Sequence, residues 1–365
     1  MNEVSDTKYS DAGVDTEQQE TALTKLAEHV RGTWKRNEGV GSVVLDLGYF
    51  ANVIDAGGIG IAISTDGIGT KAIVAQLMDK YDTVGIDCVA MNVNDVICVG
   101  ATPLSMVDYV ALQSANTRLL DELSKGLCDG AKLAGISISG GEIAQIPSMI
   151  VGEREGMGFD IAGTAIGRVD LDKVLVGQDI VEGDVVIGIE SNGIHSNGLS
   201  LAQHVLFKKQ QFSVDTHQQD LGKTIGEELL RPTHIYVKES LDLLDQNIPV
   251  RAFIHITSDG LLNLTRVKSD VGYIIDYLPP TPAIFSLLQE CGKIEEEEMF
   301  RVFNMGIGFC VIVPDEEADR ALSILGTHGK KAYRIGHAFP DEKRRVRVEC
   351  KQLIGEGKEF RKAQE

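Results

Sequence analysis

Five acids in the first half of the chain stand where acids are normally avoided. Asp66 lies in STDGIGTK (64–71), between an apolar run and the periodic segment AIVAQLM. Asp87 and Asp95 interrupt the apolar stretch DTVGIDCVAMNVNDVICVGA (82–101), together with Asn94. Asp108 sits inside SMVDYVAL, and Glu142 follows two glycines in SGGE. A carboxylate in apolar surroundings is costly unless it meets a cation, a donor or water. Gathered together, these five would suit a divalent ion that bridges protein oxygens and a polyphosphate.

The octapeptide STDGIGTK contains Gly67, Gly69, Thr70 and Lys71 at the point where a strand hands over to a helix. Its spacing is neither GxxxxGK[ST] nor GxGxxG, so neither a P-loop nor a dinucleotide fold is indicated. Glycines let the backbone approach a ligand, and a helix N-terminus favours anions. An ordinary tight turn explains the same residues, and the stretch alone leaves both readings open. Along 82–101, Asp87, Met91, Asn94 and Asp95 follow helical spacing, so they share one side of a mostly buried helix. Either a bound cation or a buried ion pair would satisfy them.

The second half contributes SNGIHSNG (191–198), two Ser-Asn-Gly units around His195 and just before a helix. Ser191, Asn192 and Asn197 offer neutral hydrogen bonds, and Asn-Gly pairs accept turn geometry. HITSDG (255–260) and FNMGIGF (303–309) are further glycine turns. The run EEEE (295–298) reads as the solvated start of a short helix.

These residues must be positioned by a large scaffold. A chain of 365 residues predicts two domains, with a boundary near residue 175 in the polar stretch VDLDKVLVGQDIVEGD. The expected units are 1–174 and 175–365. Strands are predicted at SVVLDL, IGIAIS, SMVDYVAL, ISISGGE, FDIAGTAIGRV, DVVIGIES, GFCVIV and KAYRIGHA. Helices are predicted at 21–34, at 82–101 with Asp82 or Thr83 as cap, at 119–135 and from SLAQHVLF. Each half mixes the two, so the class is α/β or α+β.

Net charge of −19 with no basic stripe speaks against nucleic acid and anionic membranes as partners. No apolar run reaches the roughly 20 residues that span a bilayer. The N-terminus lacks the pattern of a signal peptide, so a cytoplasmic protein is expected. Six cysteines without a CxxC pair read as free, mostly buried thiols.

In order along the chain, DAGVD (11–15), STDGIGTK, TVGIDCVAMNVNDVICVGATPLSMVDYVAL (83–112), SGGEIAQIPSM, FDIAGTAIG, SNGIHSNG, RPTHIYVK (231–238), HIT and FNMGIG resemble one family. That family is phosphoribosylformylglycinamidine cyclo-ligase, or aminoimidazole ribonucleotide synthetase, of purine biosynthesis. The resemblance implies a two-domain synthetase and a homodimer whose N-terminal strands form a shared β-barrel. It also implies ATP with Mg²⁺ and formylglycinamidine ribonucleotide as substrate. By the same resemblance, Asp66, Asp95 and Glu142 look like metal and phosphate-site residues, and Lys71 like a nucleotide-phosphate contact. Gly67, Gly69, Thr70, Asn94 and Gly141 would line the nucleotide site with Glu142. Ser191, Asn192 and Asn197, in what resembles the active-site loop of the second half, would add to the cofactor-binding set, and His195 of that loop would be catalytic together with Asp66, Lys71 and Asp95.

The chain departs from the family pattern in three places. Lys8-Tyr9-Ser10 precedes DAGVD where a Tyr-Lys pair is common. The segment GVGSVVLDLGYF is poorer in glycine than its counterparts, and Ser258 and Asp259 follow HIT. Selenophosphate synthetases, thiamine-phosphate kinases and hydrogenase maturation proteins share the superfamily. A reactive Cys in an N-terminal glycine loop would mark the first, and residues 1–50 contain none.

Overall fold

The computed structural model describes residues 7–13, 16–34 and 39–363. Val14 and Asp15 of DAGVD lie outside the described residues.

Two sheets organise the molecule. The first has the order β1-β2-β5-β3-β4, from β1 (Asn52–Asp55), β2 (Ile59–Gly67), β3 (Thr102–Leu112), β4 (Ser137–Gln145) and β5 (Phe159–Asp170). All its pairings are antiparallel except β3 with β4. The second sheet has eight strands and uses only residues from Val185 onward, with Val185–Glu190 flanked by Ile307–Val313 and Ala332–Pro340. Ala252–His255 forms one edge and Glu359–Lys362 the other. The class is therefore mixed α/β in two parts.

The opening hairpin differs from the sequence expectation. SVVLDL forms only isolated bridges, at Val43 to Ile54 and Leu47 to Tyr49. The partner of β2 is instead NVID, which pairs Asn52 with Ile63 and turns through Ala56, Gly57 and Gly58. The β-branched Val53 and Ile54 suit that half-buried ladder. β2 itself continues through Asp66 and Gly67, so the first half of STDGIGTK is strand. Gly69, at φ 54°, makes the bend into α2 (Lys71–Met78).

Helix α3 (Val84–Cys98) lies on the inner face of the first sheet and is buried along almost its whole length. Thr83 is its N-cap residue without a side-chain capping bond, while Asp82 pairs with Lys80. Helix α4 (Thr117–Ala134) crosses α3 at very short range. A Cβ on Gly126 would lie 2.3 Å from the Asp82 carbonyl oxygen, and one on Gly85 2.3 Å from the Leu127 nitrogen. Glycine at both positions lets the backbones touch. α4 is capped by Asn116, whose side chain accepts from Leu119 N, and ends at Gly135 in the left-handed region.

Helix α1 (Thr16–Arg31) is present, and its Leu23 and Leu26 are exposed. Cys88, Cys98 and Cys310 are buried, whereas Cys128 and Cys350 are exposed, so the reading of mostly buried thiols holds for half of them. SLAQHVLF begins as a helix at Leu199 and continues as a π-helix over His204–Lys209. The acidic run opens the short helix Glu296–Val302, with Glu295 as N-cap residue without a side-chain capping bond.

Candidate functional site

The sheet end at Asp66 brings two expected acids together. β1 stops at Asn52, opposite Ile63, so the edge of β2 is open at Asp66. Asn92 of α3 fills that gap: its Oδ1 accepts from Asp66 N at 3.0 Å and its Nδ2 donates to Asp66 O at 3.1 Å. The Asp66 carboxylate reaches solvent, yet crowding raises its pKa, first by burial and then by the charge of Asp95. Asp95, on the next turn of α3, is held by His255 Nδ1 at 2.9 Å, and Ser64 Oγ lies 3.5 Å from its other oxygen. Two like charges thus share one mouth, a situation that a cation relieves.

The registers decide which other acids join them. Across the sheet, Asp66 stands opposite Gly163, Gly163 opposite Asp108, and Asp108 opposite Gly141. Residues in one row point to one face. Asp108 is therefore on the Asp66 side, about 10 Å away across two strand spacings, and burial raises its pKa also. Gly141 is required there, because a Cβ would sit 2.7 Å from Asp108 Oδ1.

Glu142 belongs to the neighbouring row, opposite Tyr109. It is on the outer face of the sheet, away from Asp66 and Asp95. Within one chain, the expected trio of Asp66, Asp95 and Glu142 does not converge on one point. The reason is local: the β3–β4 register slips between Met106 and Val107, where Ser139 is left over in β4. One extra residue reverses which side chains face the helices.

Lys71 is also placed differently from the expectation of a phosphate contact. It is fully buried, and its ammonium donates to Asp87 Oδ1 at 2.8 Å, Arg231 O at 2.6 Å and His195 O at 3.2 Å. Asp87 Oδ1 accepts further from Thr233 N at 2.7 Å, Thr233 Oγ1 at 2.6 Å and Ser196 Oγ at 3.0 Å. The buried-pair alternative for Asp87 is what the structure contains.

The loop 191–198 is tied down at nearly every residue. Ser191 Oγ donates to Asn304 Oδ1, Asn304 Nδ2 to Gly193 O, Asn192 Nδ2 to Pro232 O, and Ser258 Oγ to Asn197 Oδ1. Thr70 Oγ1 lies 3.1 Å from Ser200 Oγ, which joins the bend after β2 to the helix following the loop. Asn94 Oδ1 accepts from Tyr236 N at 2.9 Å and its Nδ2 donates to His234 O at 2.8 Å. His195 has φ 59° and is buried, with neither ring nitrogen hydrogen-bonded. Burial, aided by His234, His255, Lys71 and Arg231, holds its pKa well below the usual imidazole range. In this conformation it packs against His234 and Tyr236 as a neutral ring.

Sequence reasoning missed Asn92, Arg231 and Thr233. Asn92 was visible as a second amide, beside Asn94, in MNVND. Arg231 and Thr233 stand in RPTHIYVK, a segment that carries the resemblance, but their contact with Asp87 depends on a fold that brings residues 87 and 233 together.

This two-part mixed α/β chain matches both domains of the AIR synthase related proteins. The N-terminal domain of that family matches residues 48–169, and its C-terminal domain matches residues 181–349. The chain is 47% identical over 321 residues to phosphoribosylformylglycinamidine cyclo-ligase of Thermococcus kodakarensis, covering 88% of this chain and 92% of that protein. It is 42% identical over 328 residues to the enzyme of the same name in Methanothermobacter thermautotrophicus, covering 90% and 93%. The chain belongs to the phosphoribosylformylglycinamidine cyclo-ligase family. The fold is also similar to hydrogenase maturation protein HypE, solved in complex with ATP, with a TM-score of 0.56 at 17% identity over 82% of this chain and 83% of that one.

Proposed function

We propose that this protein closes the imidazole ring of aminoimidazole ribonucleotide from formylglycinamidine ribonucleotide, using ATP. The observation that carries the reading, beside the family, is the pair of acids Asp66 and Asp95 at one mouth, with Asp66 raised by burial and by its neighbour's charge. The formyl amide oxygen is a poor leaving group. Transfer of the γ-phosphoryl group to that oxygen gives an iminophosphate, the amidine nitrogen attacks the carbon, and phosphate leaves. Positioning of this kind supplies about 7–11 kcal/mol of a barrier.

Mg²⁺ neutralises the charge on the phosphoryl oxygens when bound. Asp66 and Asp95 would hold the ion, since one or two protein carboxylates commonly serve such a site. The pair is a donor set of that size. Among the described residues, no three His, Cys, Asp or Glu side chains form a self-sufficient metal site. Gly67, Gly69 and Thr70 would face the nucleotide, residues 1–174 would bind ATP and metal, and residues 175–365 would complete the site.

The outer face of the first sheet supports the homodimer and its shared β-barrel. Val107, Tyr109, Ile166 and Ile59 are exposed on it, an apolar strip suited to a second copy. Among the described residues no helix is long and apolar enough to cross a membrane, and we place the enzyme in the cytoplasm.

The test is release of ADP with formylglycinamidine ribonucleotide, with and without Mg²⁺. Activity should require the ion and fall about 10²–10³-fold in Asp66→Asn. Unchanged turnover in that variant would remove Asp66 from the site. Phosphate transfer to thiamine monophosphate or selenide instead of the amidine would reassign the enzyme within its superfamily.

A further inference from the structure

The family resemblance puts Lys71 at the nucleotide phosphates, but its surroundings assign it other work. An ammonium group has three N–H donors. All three are used inside the protein, on Asp87 Oδ1, His195 O and Arg231 O. No donor is left for a phosphate oxygen. Both side chains of the Lys71–Asp87 pair are fully buried.

The partners reveal what the pair organises. Lys71 holds the carbonyl of His195, and Asp87 holds the hydroxyl of the next residue, Ser196. Lys71 holds the carbonyl of Arg231, and Asp87 the N–H and hydroxyl of Thr233. Ser196 and Thr233 hydroxyls also lie 3.0 Å apart. Two segments distant in sequence, 195–196 and 231–233, are thus gripped by one ion pair that belongs to the first half of the chain. His195 adopts a left-handed conformation that an L-residue avoids without outside support. Its carbonyl is one of the three Lys71 acceptors, so the ammonium holds the unusual turn in place.

We propose that Lys71 and Asp87 form a charged clamp that sets the 191–198 loop in position for the substrate, and that neither touches ATP. The idea rests on the cyclo-ligase reading given above, because that reading gives residues 175–365, which contain the loop, the task of completing the site. Lys71 and Asp87 are accordingly positioning residues. Lys71 opens α2, just after Asp66 on the same continuous strand-to-helix segment. The same bend thus fixes the acid at the mouth and the loop across from it.

The test compares Lys71→Met, Asp87→Asn, the double variant and Ser196→Ala. Removing one partner of a buried pair leaves an uncompensated charge, whereas removing both does not. The double variant should therefore melt above either single variant. It should still lack the grip on both segments, so KM for the amidine rises and kcat falls together, by about 100-fold for a loop misplaced by an ångström. Calorimetric affinity for ADP should stay within about threefold of the parent, short of the tenfold or more that a lost phosphate contact would cost. Ser196→Ala, which uncovers no charge, should show the same KM pattern in weaker form. Hydrogen exchange should quicken at amides 193–198 and 230–234 in the double variant and leave β2 and β5 protected.

A Lys71→Met or double variant that loses ADP affinity while the loop amides stay protected would overturn the clamp and restore a phosphate contact. Unaltered exchange and unaltered amidine KM in the double variant would overturn it as well. A wild-type protein inactive on the amidine would sink the cyclo-ligase reading alone, since exchange of the loop is measured without substrate.

Discussion

His255 Nδ1 and Asp95 Oδ1 lie 2.9 Å apart, joining a strand of the second sheet to the acid that faces Asp66. The imidazole is fully buried and the carboxylate partly exposed. The contact fixes one oxygen of Asp95 and leaves the other, near Ser64, turned to the mouth. Asp95→Asn keeps an acceptor for His255 but removes the charge. We expect ATP-dependent ring closure to fall about 10²–10³-fold with far-UV circular dichroism unchanged. Full activity in that variant would exclude Asp95 from the chemistry.

His234 gives the stability a pH slope. Burial, then Lys330 and Arg231, lower its pKa to about 4. The unfolded imidazole titrates near 6.5, so between these values the unfolded chain binds more protons and stability falls as pH drops. The loss amounts to about 3 kcal/mol across that window. His195 acts in the same direction. Urea melts at pH 7, 5.5 and 4.5 should show the decline, and His234→Gln should flatten it in part. Equal slopes for the two proteins would contradict the assignment.

Gly140 and Gly141 are neighbours with opposite demands. A Cβ on Gly140 meets nothing within 4 Å, whereas one on Gly141 collides with the Asp108 carboxylate. Gly141→Ala should cost about 1–3 kcal/mol by overpacking and Gly140→Ala less than about 0.5 kcal/mol. Thermal unfolding of the two variants side by side checks the inward direction of that row.

The outer face of the first sheet predicts an oligomer that a charge would break. Val107 and Tyr109, 44% and 45% exposed, sit at its centre with Ile166 beside them. In sedimentation velocity the parent protein should run as a dimer, and Val107→Glu as a monomer at the same concentration. Dimers in both would place the interface elsewhere.

Much of the first half was legible because its chemistry follows short periods. Helical spacing in 82–101 anticipated that Asp87 and Asn94 would share one side of a buried helix, and SMVDYVAL anticipated the strand that contains Asp108. What could not be read depends on contacts between distant residues. The partner of Lys71 lies 16 residues away on another helix, and its two carbonyl acceptors lie more than 120 residues away. The face taken by Glu142 turns on one leftover residue in β4, and no hydrophobic alternation in SISGGEIAQ marks that slip. SVVLDL has a strand composition, but its neighbour NVID takes the hairpin because the AGG turn directly follows it.

Helix α3 carries a consequence for the chain as a whole. It is covered on one side by the first sheet and α4, and Asn94 and Asp95 reach across to Tyr236, His234 and His255. Splitting the gene near residue 174 would strip that cover. The N-terminal fragment would present a greasy helix with stranded amides and acids, and the C-terminal fragment would lose the groups that cap its own backbone. Co-expression of the two pieces, rather than purification of either alone, is the route by which fragments of this enzyme would be recovered.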